Sequence, residues 1–255
     1  MKRKIDAFLN GVSIYSAHEK IIGARIVEAN APYETEYESA AMLPGQRLIY
    51  KKRTGLNISL FVKVRELYDM PSRMDAINAI NSWAAKGGAL KLSYRRSRTL
   101  NVKLIQPASV SDIREYTTEF ELIFTAVGWP YWQDSAESHS LHTASSASDV
   151  MQIAGNAPTT VDVSLTAIDP ITEITVTVDD SSVKLSGLSI SEGTLVLISH
   201  MPSGIMTITA DGTSIYSMLS ADSGDCLMTN GGDANISFTL DGAAGVSFYA
   251  KGRWL

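Results

Sequence analysis

Four histidines are the residues of this sequence best suited to catalysis or metal binding: His18, His139, His142 and His200. A serine hydrolase needs one of them beside a positioned serine, yet the chain contains no G-x-S-x-G nucleophile motif. His139 and His142 have an H-x-x-H spacing, which can bind a metal on a helix, but no third ligand lies nearby. The histidines therefore predict neither a catalytic nor a metal site.

Other chemical motifs are equally weak. The chain has neither a P-loop nor a dinucleotide fingerprint. No feature of the sequence identifies two carboxylates as a catalytic glycosidase pair. The Asp- and Gly-rich stretches 222–225 and 231–233 lack the ligand spacing of a calcium loop and read as hairpin turns. The single cysteine, Cys226, excludes an internal disulfide and a cysteine zinc cluster. We therefore predict no cofactor, no metal and no enzymatic activity.

Two basic clusters could contact an anionic partner: Lys51-Lys52-Arg53 and Arg95-Arg96-Arg98. Each follows a tyrosine, as a single-strand nucleic-acid site would require. The sequence pI of about 5.4 argues against a dedicated nucleic-acid binder. We interpret the clusters as solvated loops or as partners for the charges of a neighbouring subunit. Facing a channel through which DNA passes is the alternative.

The charge of the chain is divided unevenly between its halves. Residues 1–133 contain 19 Lys and Arg against 13 Asp and Glu, and residues 134–255 contain 3 against 14, so the net charges are +6 and −11. Such a split favours two domains with different neighbours. We predict a first domain over residues 1–134, which the family resemblance described below implies to be ring-forming, a Ser/Ala-rich linker over 135–149 and a second domain over 150–255, whose last strand could pack on the first domain.

The elements that would position these residues are mostly strands. Alternating hydrophobicity predicts strands at 56–64, at 90–104 as a hairpin with an arginine-rich tip, at 116–124, and at short intervals from 161 to 248. Turns such as Asp241-Gly242 are predicted to separate several of the later strands. One helix is predicted between Ser72 and Lys86, with Ser72 and Asp75 as a capping box. Its apolar stripe consists of Met74, Ile77, Ile80, Trp83 and Ala84. The fold class is therefore mainly β, and the second half reads as a β-sandwich.

Three segments, taken in order, resemble the distal tail protein family of siphophages. They are the strand Gly55–Val64 after Pro44-Gly45-Gln46-Arg47, the helix end 80–88 leading into Leu90-Lys91-Leu92, and the segment 114–132 that closes on Trp129-Pro130-Tyr131-Trp132. The resemblance covers residues 45–133 well and the first 44 weakly. Beyond residue 150 it rests on length, β-richness and the terminal Arg253-Trp254-Leu255.

This resemblance implies a β-sandwich with one helix as the first domain and a galectin-like or carbohydrate-module-like β-sandwich as the second. It implies a homohexameric ring at the virion tail tip, assembled in the host cytoplasm. The ring would join the tail tube protein and the tape-measure protein to the tail-tip or tail-associated lysin protein, and DNA would pass through its channel. At 255 residues the chain is similar to the short form without inserted sugar-binding modules.

Candidate interface residues follow from the need of a ring subunit for two complementary surfaces. We expect the arginines Arg95, Arg96 and Arg98 and the glutamates Glu34, Glu36 and Glu38 to provide them. The aromatic residues Trp83, Trp129, Tyr131 and Trp132 are expected to pack in the core or between domains. No apolar run reaches the ~18–20 residues of a membrane span, so no membrane partner is predicted. The alternative function is a soluble, lectin-like carbohydrate-binding module.

Overall fold

The computed structural model of the chain describes residues 5–29, 33–38, 47–53, 55–65, 69–95, 97–109, 117–201 and 204–255. The chain divides into two compact units, unit 1 (Met1–Tyr131) and unit 2 (Trp132–Leu255). Strands dominate both units, and the one α-helix of the described residues is α1 (Met70–Ala85). The prediction of a mainly-β chain with one helix is confirmed.

Unit 1 is built on an antiparallel sheet. Its described strands are β1 (Ala7–Leu9), β2 (Val12–Ser13), β3 (Ile21–Glu28), β4 (Tyr33–Glu38), β5 (Arg47–Arg53), β6 (Asn57–Arg65), β7 (Gly88–Leu92), β8 (Arg98–Gln106) and β9 (Thr117–Ala126). The main sheet has the order β2-β1-β7-β8-β9-β6-β3. Strands β4 and β5 pair with each other as a separate two-stranded sheet. The predicted hairpin at 90–104 is confirmed, since Leu90 of β7 lies opposite Leu100 of β8.

Apolar side chains at every second position of β6 contribute to the core of unit 1. Every second residue points to the same face of a strand, and the inward side chains are Ile58, Leu60, Val62 and Val64, each at most 1% exposed. The ladder with β9 sets the first three of them opposite Phe124, Leu122 and Phe120. Burying each such side chain stabilises the fold by roughly 1.5–3 kcal/mol.

Helix α1 begins two residues before the predicted start. Its N-cap is Asp69, whose side chain accepts a hydrogen bond from the backbone N–H of Ser72 at 2.8 Å. The predicted capping residue Ser72 therefore lies inside the helix, because Asp69, three residues earlier, caps the N-terminus through the N–H group of Ser72. The buried stripe consists of Ala76, Ile77, Ile80, Trp83 and Ala84, whereas Met74 is 43% exposed and does not belong to it.

Replacing Asp69 with alanine is expected to lower the melting temperature of the chain at neutral pH. Hydrogen bonds from Ser72 hold the pKa of Asp69 below its ordinary value, so this cap stabilises the fold above the unfolded pKa of about 3.9. Its contribution is lost as the pH falls through the lower pKa of the folded state. The difference in melting temperature should therefore shrink between about pH 7 and about pH 2. Asp75→Ala, on the same helix, is the control and should have little effect.

Unit 2 contains the remaining strands. They are β10 (Trp132–Asp134), β11 (Ser138–Ile153), β12 (Thr159–Ala167), β13 (Ile171–Val178), β14 (Ser181–Ile190), β15 (Leu195–His200), β16 (Met206–Ala210), β17 (Thr213–Ser214), β18 (Met228–Thr229), β19 (Gly232–Ala250) and β20 (Arg253–Trp254). The main sheet order is β14-β13-β19-β12-β15-β16-β17, with β11 on β19 and β18 on β12. The strands expected from alternation between 161 and 248 are all present.

Strand β19 connects the two layers of unit 2. Its first half pairs with β13, with Ile174 opposite Leu240, and its second half pairs with β12, with Val163 opposite Phe248. A strand that leaves one ladder for another in this way turns a single sheet into a β-sandwich. The side chains between the layers form one apolar cluster that includes Phe238 and Phe248.

Two expectations in this half are wrong. Residues 135–149 were predicted as a linker because they are rich in serine and alanine, but residues 138–149 form most of β11, which pairs with β19 from Ser138 to Ile153. Asp241-Gly242 was predicted to be a turn between two strands, but both residues lie inside β19. Asp241 is held there because it accepts hydrogen bonds from the backbone N–H groups of Thr172 and Glu173 at 3.0 and 3.1 Å.

The last strand of the chain is tied to unit 2. Trp254 of β20 lies opposite Trp132 of β10, and its Nε1–H donates to Asp134 Oδ2 at 2.7 Å. Arg253 is buried, and its guanidinium donates to Thr160 Oγ1 at 3.1 Å. The carbonyl oxygen of Arg253 accepts from the N–H group of Asn156 at 2.9 Å. These contacts attach the C-terminus to the first strand of the unit.

Candidate functional site

The hairpin tip, defined as residues 93–95, 97 and 98 between β7 and β8, carries two arginines of a basic cluster predicted from the sequence. Two tight turns shape it. The N–H group of Arg95 donates to the carbonyl oxygen of Leu92 at 2.9 Å, and that of Arg98 donates to the carbonyl oxygen of Arg95 at 3.1 Å. At its base, Ser93 and Asp6 exchange hydrogen bonds. The described residues of the tip are therefore held by backbone hydrogen bonds.

Arg95 forms a two-point ion pair with Glu28, the last residue of β3. Its Nε and Nη2 atoms lie 3.1 Å from Oε1 and 2.8 Å from Oε2 of Glu28, and the two side chains are only 25% and 20% exposed. Arg95 thus has an acidic partner in its own chain. Such bidentate pairs fix orientation as well as charge. Glu28 was not among the residues predicted for this surface, and it precedes Arg95 by 67 residues.

Tyr94 completes this arrangement. Its hydroxyl donates to Oε1 of Glu28 at 2.6 Å. Burial raises the pKa of the Tyr94 phenol, and the hydrogen bond and the negative charge of Glu28 raise it further. The phenol therefore stays protonated as a donor, and Glu28 clamps two successive residues of the hairpin tip.

A surface cavity of about 440 Å³ lies at the hairpin tip, and its described lining residues are Tyr94, Arg95, Ser97 and Arg98. These described lining residues are two arginines, a tyrosine and a serine, and none of them carries a carboxylate. Arg96 lies outside the described residues. The described lining of the cavity is therefore polar and contains two basic residues.

The predicted acidic surface lies on β4. Glu34, Glu36 and Glu38 occupy alternate positions of this strand, and the ladder to β5 sets Glu34 opposite Lys52 and Glu38 opposite Arg47. Only the backbone of these residues is described, and their side chains lie outside the described part. The register places acidic positions of β4 against basic positions of β5. This pairing was not predicted from the sequence.

The four aromatic residues expected to pack differ in burial. Trp83 is 6% exposed, meets Phe124 edge to face with ring centroids 6.3 Å apart, and donates from Nε1 to the carbonyl oxygen of Val12 at 2.9 Å. Trp132 is 1% exposed. Trp129 and Tyr131 are half-buried, and their rings stack with centroids 6.4 Å apart. Trp83 therefore packs between α1 and the sheet of unit 1, and Trp132 is buried.

Unit 2 brings a serine, a histidine and an aspartate together on β11. Ser140 Oγ lies 2.9 Å from His142 Nε2 and 2.9 Å from Asp149 Oδ2. In a hydrolase triad the aspartate must bind the other ring nitrogen, Nδ1, so that Nε2 can take the serine proton. Asp149 instead approaches Nε2 at 3.5 Å. The cluster has the residue types of a triad but not its connectivity.

A second histidine has a carboxylate partner but no accessible base. His200 is fully buried, and its Nε2 accepts a hydrogen bond from the N–H group of Leu227 at 3.1 Å. Nδ1 must then carry the proton, and it donates to Asp162 Oδ1 at 2.8 Å. Both nitrogens are occupied, so His200 holds β15, β12 and the segment before β18 together.

Metal and thiol chemistry receive no support from the part of the chain that the structure describes. Those residues contain no group of three or more His, Cys, Asp or Glu side chains able to hold a metal ion. Cys226 is half-buried, and burial together with the charge of Asp225 raises the pKa of its thiol. A raised pKa suppresses the reactive thiolate. None of the described helices is long and apolar enough to cross a membrane.

Comparison with known proteins identifies the fold. No family model and no curated protein sequence matches the chain. Its structure matches the crystal structure of the Dit protein of phage SPP1, a paradigm of the hub adsorption apparatus in phages that infect Gram-positive bacteria. The TM-score is 0.74, the sequences are 12% identical, and the match covers 98% of this chain and 99% of that one.

Two baseplate structures of phage P2 in its activated conformation, with calcium and with strontium, are also similar over 97–98% of the chain. Their TM-scores are 0.43 and 0.42 at 11% identity, too low to carry an argument. The match to the SPP1 protein spans both units nearly end to end. The chain therefore has the fold of a phage hub protein, as the sequence resemblance predicted.

Proposed function

We propose that this protein is a structural subunit of a phage tail tip, a distal tail protein that assembles as a homohexameric ring. The observation that carries the proposal is the fold shared with the SPP1 Dit protein over 98% of this chain and 99% of that one. A likeness confined to one unit would fit many β-sandwich proteins. A match over both units in the same order is more specific and favours a similar structural role.

The role proposed for each unit comes from the family resemblance, and the charge of the chain fits it. Unit 1 carries a net charge of +6, and unit 2, which starts at Trp132, carries −11. A ring subunit needs two different surfaces that complement each other, and opposite charges orient such contacts. Unit 1 forms the ring around a channel for DNA, and unit 2 lies at its periphery. The tail tube and tape-measure proteins bind above, and the tail-tip or tail-associated lysin protein binds below.

The residues proposed for contacts between neighbouring subunits of the ring at the virion tail tip stay the same. They are Arg95, Arg96 and Arg98 on one surface and Glu34, Glu36 and Glu38 on the other. The ion pair with Glu28 gives Arg95 the role of shaping the hairpin tip. Arg98 lines the cavity at the tip and stays in the proposed set together with Arg96. The subunit is made in the host cytoplasm and has no catalytic function.

A lectin-like module is the second candidate, and one observation favours it. The rings of His139 and Tyr249 lie nearly parallel on β11 and β19, with centroids 6.3 Å apart and an interplanar angle of 17°. His139 is exposed, so an aromatic surface is available for a sugar ring. Glycan binding by the full chain that is lost on Tyr249→Ala, but not on replacement of the exposed Tyr216, would favour this candidate.

The solution mass of the purified chain tests the ring. Six copies of 27.6 kDa make about 166 kDa, and we expect light scattering to give this mass and negative-stain images to give a particle with a central hole. If the chain alone is monomeric, the measurement is repeated with a neighbouring tail protein, because a ring can be closed by its partners. Persistent monomers in that mixture would contradict the proposal.

A further inference from the structure

Two Asn-Gly dipeptides occur in the chain, Asn10-Gly11 and Asn230-Gly231, and each places the same two reactive groups side by side. The backbone nitrogen of a glycine can attack the side-chain amide carbon of the asparagine before it. Glycine favours this attack because it has no side chain to hinder the approach and adopts many backbone conformations. Both asparagines are exposed to water. The hydrogen bonds around them are what differ.

The side-chain amide of Asn10 is held on both of its polar atoms. Its Nδ2 donates to the carbonyl oxygen of Gly87 at 2.7 Å, and its Oδ1 accepts from the N–H group of Ala89 at 3.0 Å. Asn10 and Gly11 form the two-residue turn between β1 and β2, and both have positive φ angles. The amide must therefore break two hydrogen bonds before it can rotate toward the nitrogen of Gly11.

Asn230 lacks these restraints. Within the described part of the chain its side-chain amide makes no hydrogen bond, and the N–H group of Gly231, which lies between β18 and β19, donates none. A surface cavity of about 260 Å³ lies beside this amide, and its described lining residues are Asp179, Asp180, Ser181, Met228, Thr229 and Asn230. Water therefore reaches an amide that is free to rotate.

We propose that Asn230-Gly231 is a site of covalent modification, at which water converts the asparagine into aspartate and isoaspartate. First, the nitrogen of Gly231 bonds to Cγ of Asn230 and gives up its proton, and the side-chain nitrogen leaves Cγ as ammonia. Water then adds to one of the two carbonyl carbons of the cyclic imide, and the bond from that carbon to the nitrogen of Gly231 breaks. Opening at Cγ gives aspartate, and opening at the backbone carbon gives isoaspartate. Nothing is oxidised or reduced, and water is the sole co-reactant.

The products change both the charge and the backbone of the turn between β18 and β19. Either product adds a carboxylate to a cavity already lined by two aspartates. Isoaspartate also inserts an additional carbon atom into the backbone. The turn has little room for it, since a β-carbon on Gly231 would stand 3.2 Å from the carbonyl oxygen of Gly155. We therefore expect conversion to loosen the adjoining pair of Gly232 and Ile153.

The test is peptide mapping of the folded full chain by mass spectrometry during incubation at mildly alkaline pH. Reversed-phase chromatography separates the asparagine, aspartate and isoaspartate forms of each peptide. We expect Asn230 to convert at least about tenfold faster than Asn10, because the amide of Asn10 is released only when its turn opens. In the chain unfolded by urea, the two sites should convert at rates within about threefold of each other, because the restraints on Asn10 are gone. Equal rates in the folded chain would overturn the proposal.

Asn230→Gln tests the route of the reaction. Glutamine keeps an amide at this position, but its additional methylene group requires a six-membered ring, which forms far more slowly. The variant should therefore retain its amide, and a carboxylate that appears at position 230 as fast as in the original chain would contradict attack by Gly231.

The effect on the turn is measured by hydrogen exchange after equal incubation. Peptides covering residues 153–159 should exchange faster in the converted original chain than in Asn230→Gln, because the turn packs on this segment. Equal exchange would overturn the loosening of the turn. These measurements need no ring and no partner, so a failed ring and a failed modification give different results.

Discussion

Phe124→Ala is expected to reduce the free energy of unfolding by about 3–5 kcal/mol, a large share of the ~5–15 kcal/mol that holds a domain together. Phe124 is fully buried at the centre of the sheet of unit 1, where β9 sets it opposite Ile58 of β6 and Leu104 of β8. Its ring also meets Trp83 of α1 edge to face at 6.3 Å. Alanine would leave a cavity between helix and sheet that neither element can fill by moving, because both are fixed by their own hydrogen bonds.

The measurement is urea denaturation followed by the near-ultraviolet circular dichroism of the aromatic side chains. Ile105→Ala removes a large side chain from the neighbouring strand β8, but Ile105 is 51% exposed and should cost less than about 0.5 kcal/mol. The difference between the two variants isolates packing from the loss of a large apolar residue as such. Equal losses would mean that helix and sheet of unit 1 do not pack around Phe124.

The same regular alternation that makes Phe124 important makes its strand predictable. In β6 and β9 apolar side chains occupy every second position, because one face of each strand packs in the core. The helix was predictable for a related reason, since Ile77, Ile80 and Trp83 recur at helical spacing. The spacing of apolar residues is therefore sufficient to predict a strand or helix that buries only one of its faces.

Strand β11 was not predictable in this way. Its first twelve residues are mostly serine, alanine, threonine and histidine, a composition typical of connections. They form a strand because β19 offers a ladder over its whole length, with one irregularity between Ala144 and Ser146. Strand β11 is therefore stabilised by backbone pairing with a strand about 100 residues away, and local composition does not encode this pairing.

The hairpin tip was half predictable. Alternation located the hairpin, and its arginines marked it as a charged surface. The partner Glu28 belongs to β3, which β9 and β6 separate from β8 in the sheet. The two side chains meet in the folded sheet although 67 residues separate them in the sequence. The candidate site could be located from the sequence, whereas the contact that shapes it could not.

Gly252→Ala is expected to detach the C-terminal strand and to destabilise unit 2 by about 2–4 kcal/mol. Gly252 lies where the chain passes between two other backbone segments, and its carbonyl oxygen accepts from the N–H group of Asp134 at 2.8 Å. A β-carbon at this position would stand 2.7 Å from the carbonyl carbon of Ala154 and 3.0 Å from Asp134 Oδ2, and would meet the Ala154 oxygen more closely still. Backbone atoms cannot yield as the end of a flexible side chain can.

Hydrogen exchange gives the sharpest readout of this substitution. The amides of Asn156 and Leu255 are bonded to Arg253 O and Asn156 Oδ1, so both should lose protection when the strand detaches. Gly245→Ala is the matched control, because it adds the same methyl group within β19, where no atom lies within 4 Å of the new β-carbon. It should leave stability unchanged or slightly higher, since alanine restricts the unfolded chain more than glycine does. Equal protection in the two variants would show that the terminal strand holds its place without the close approach at Gly252.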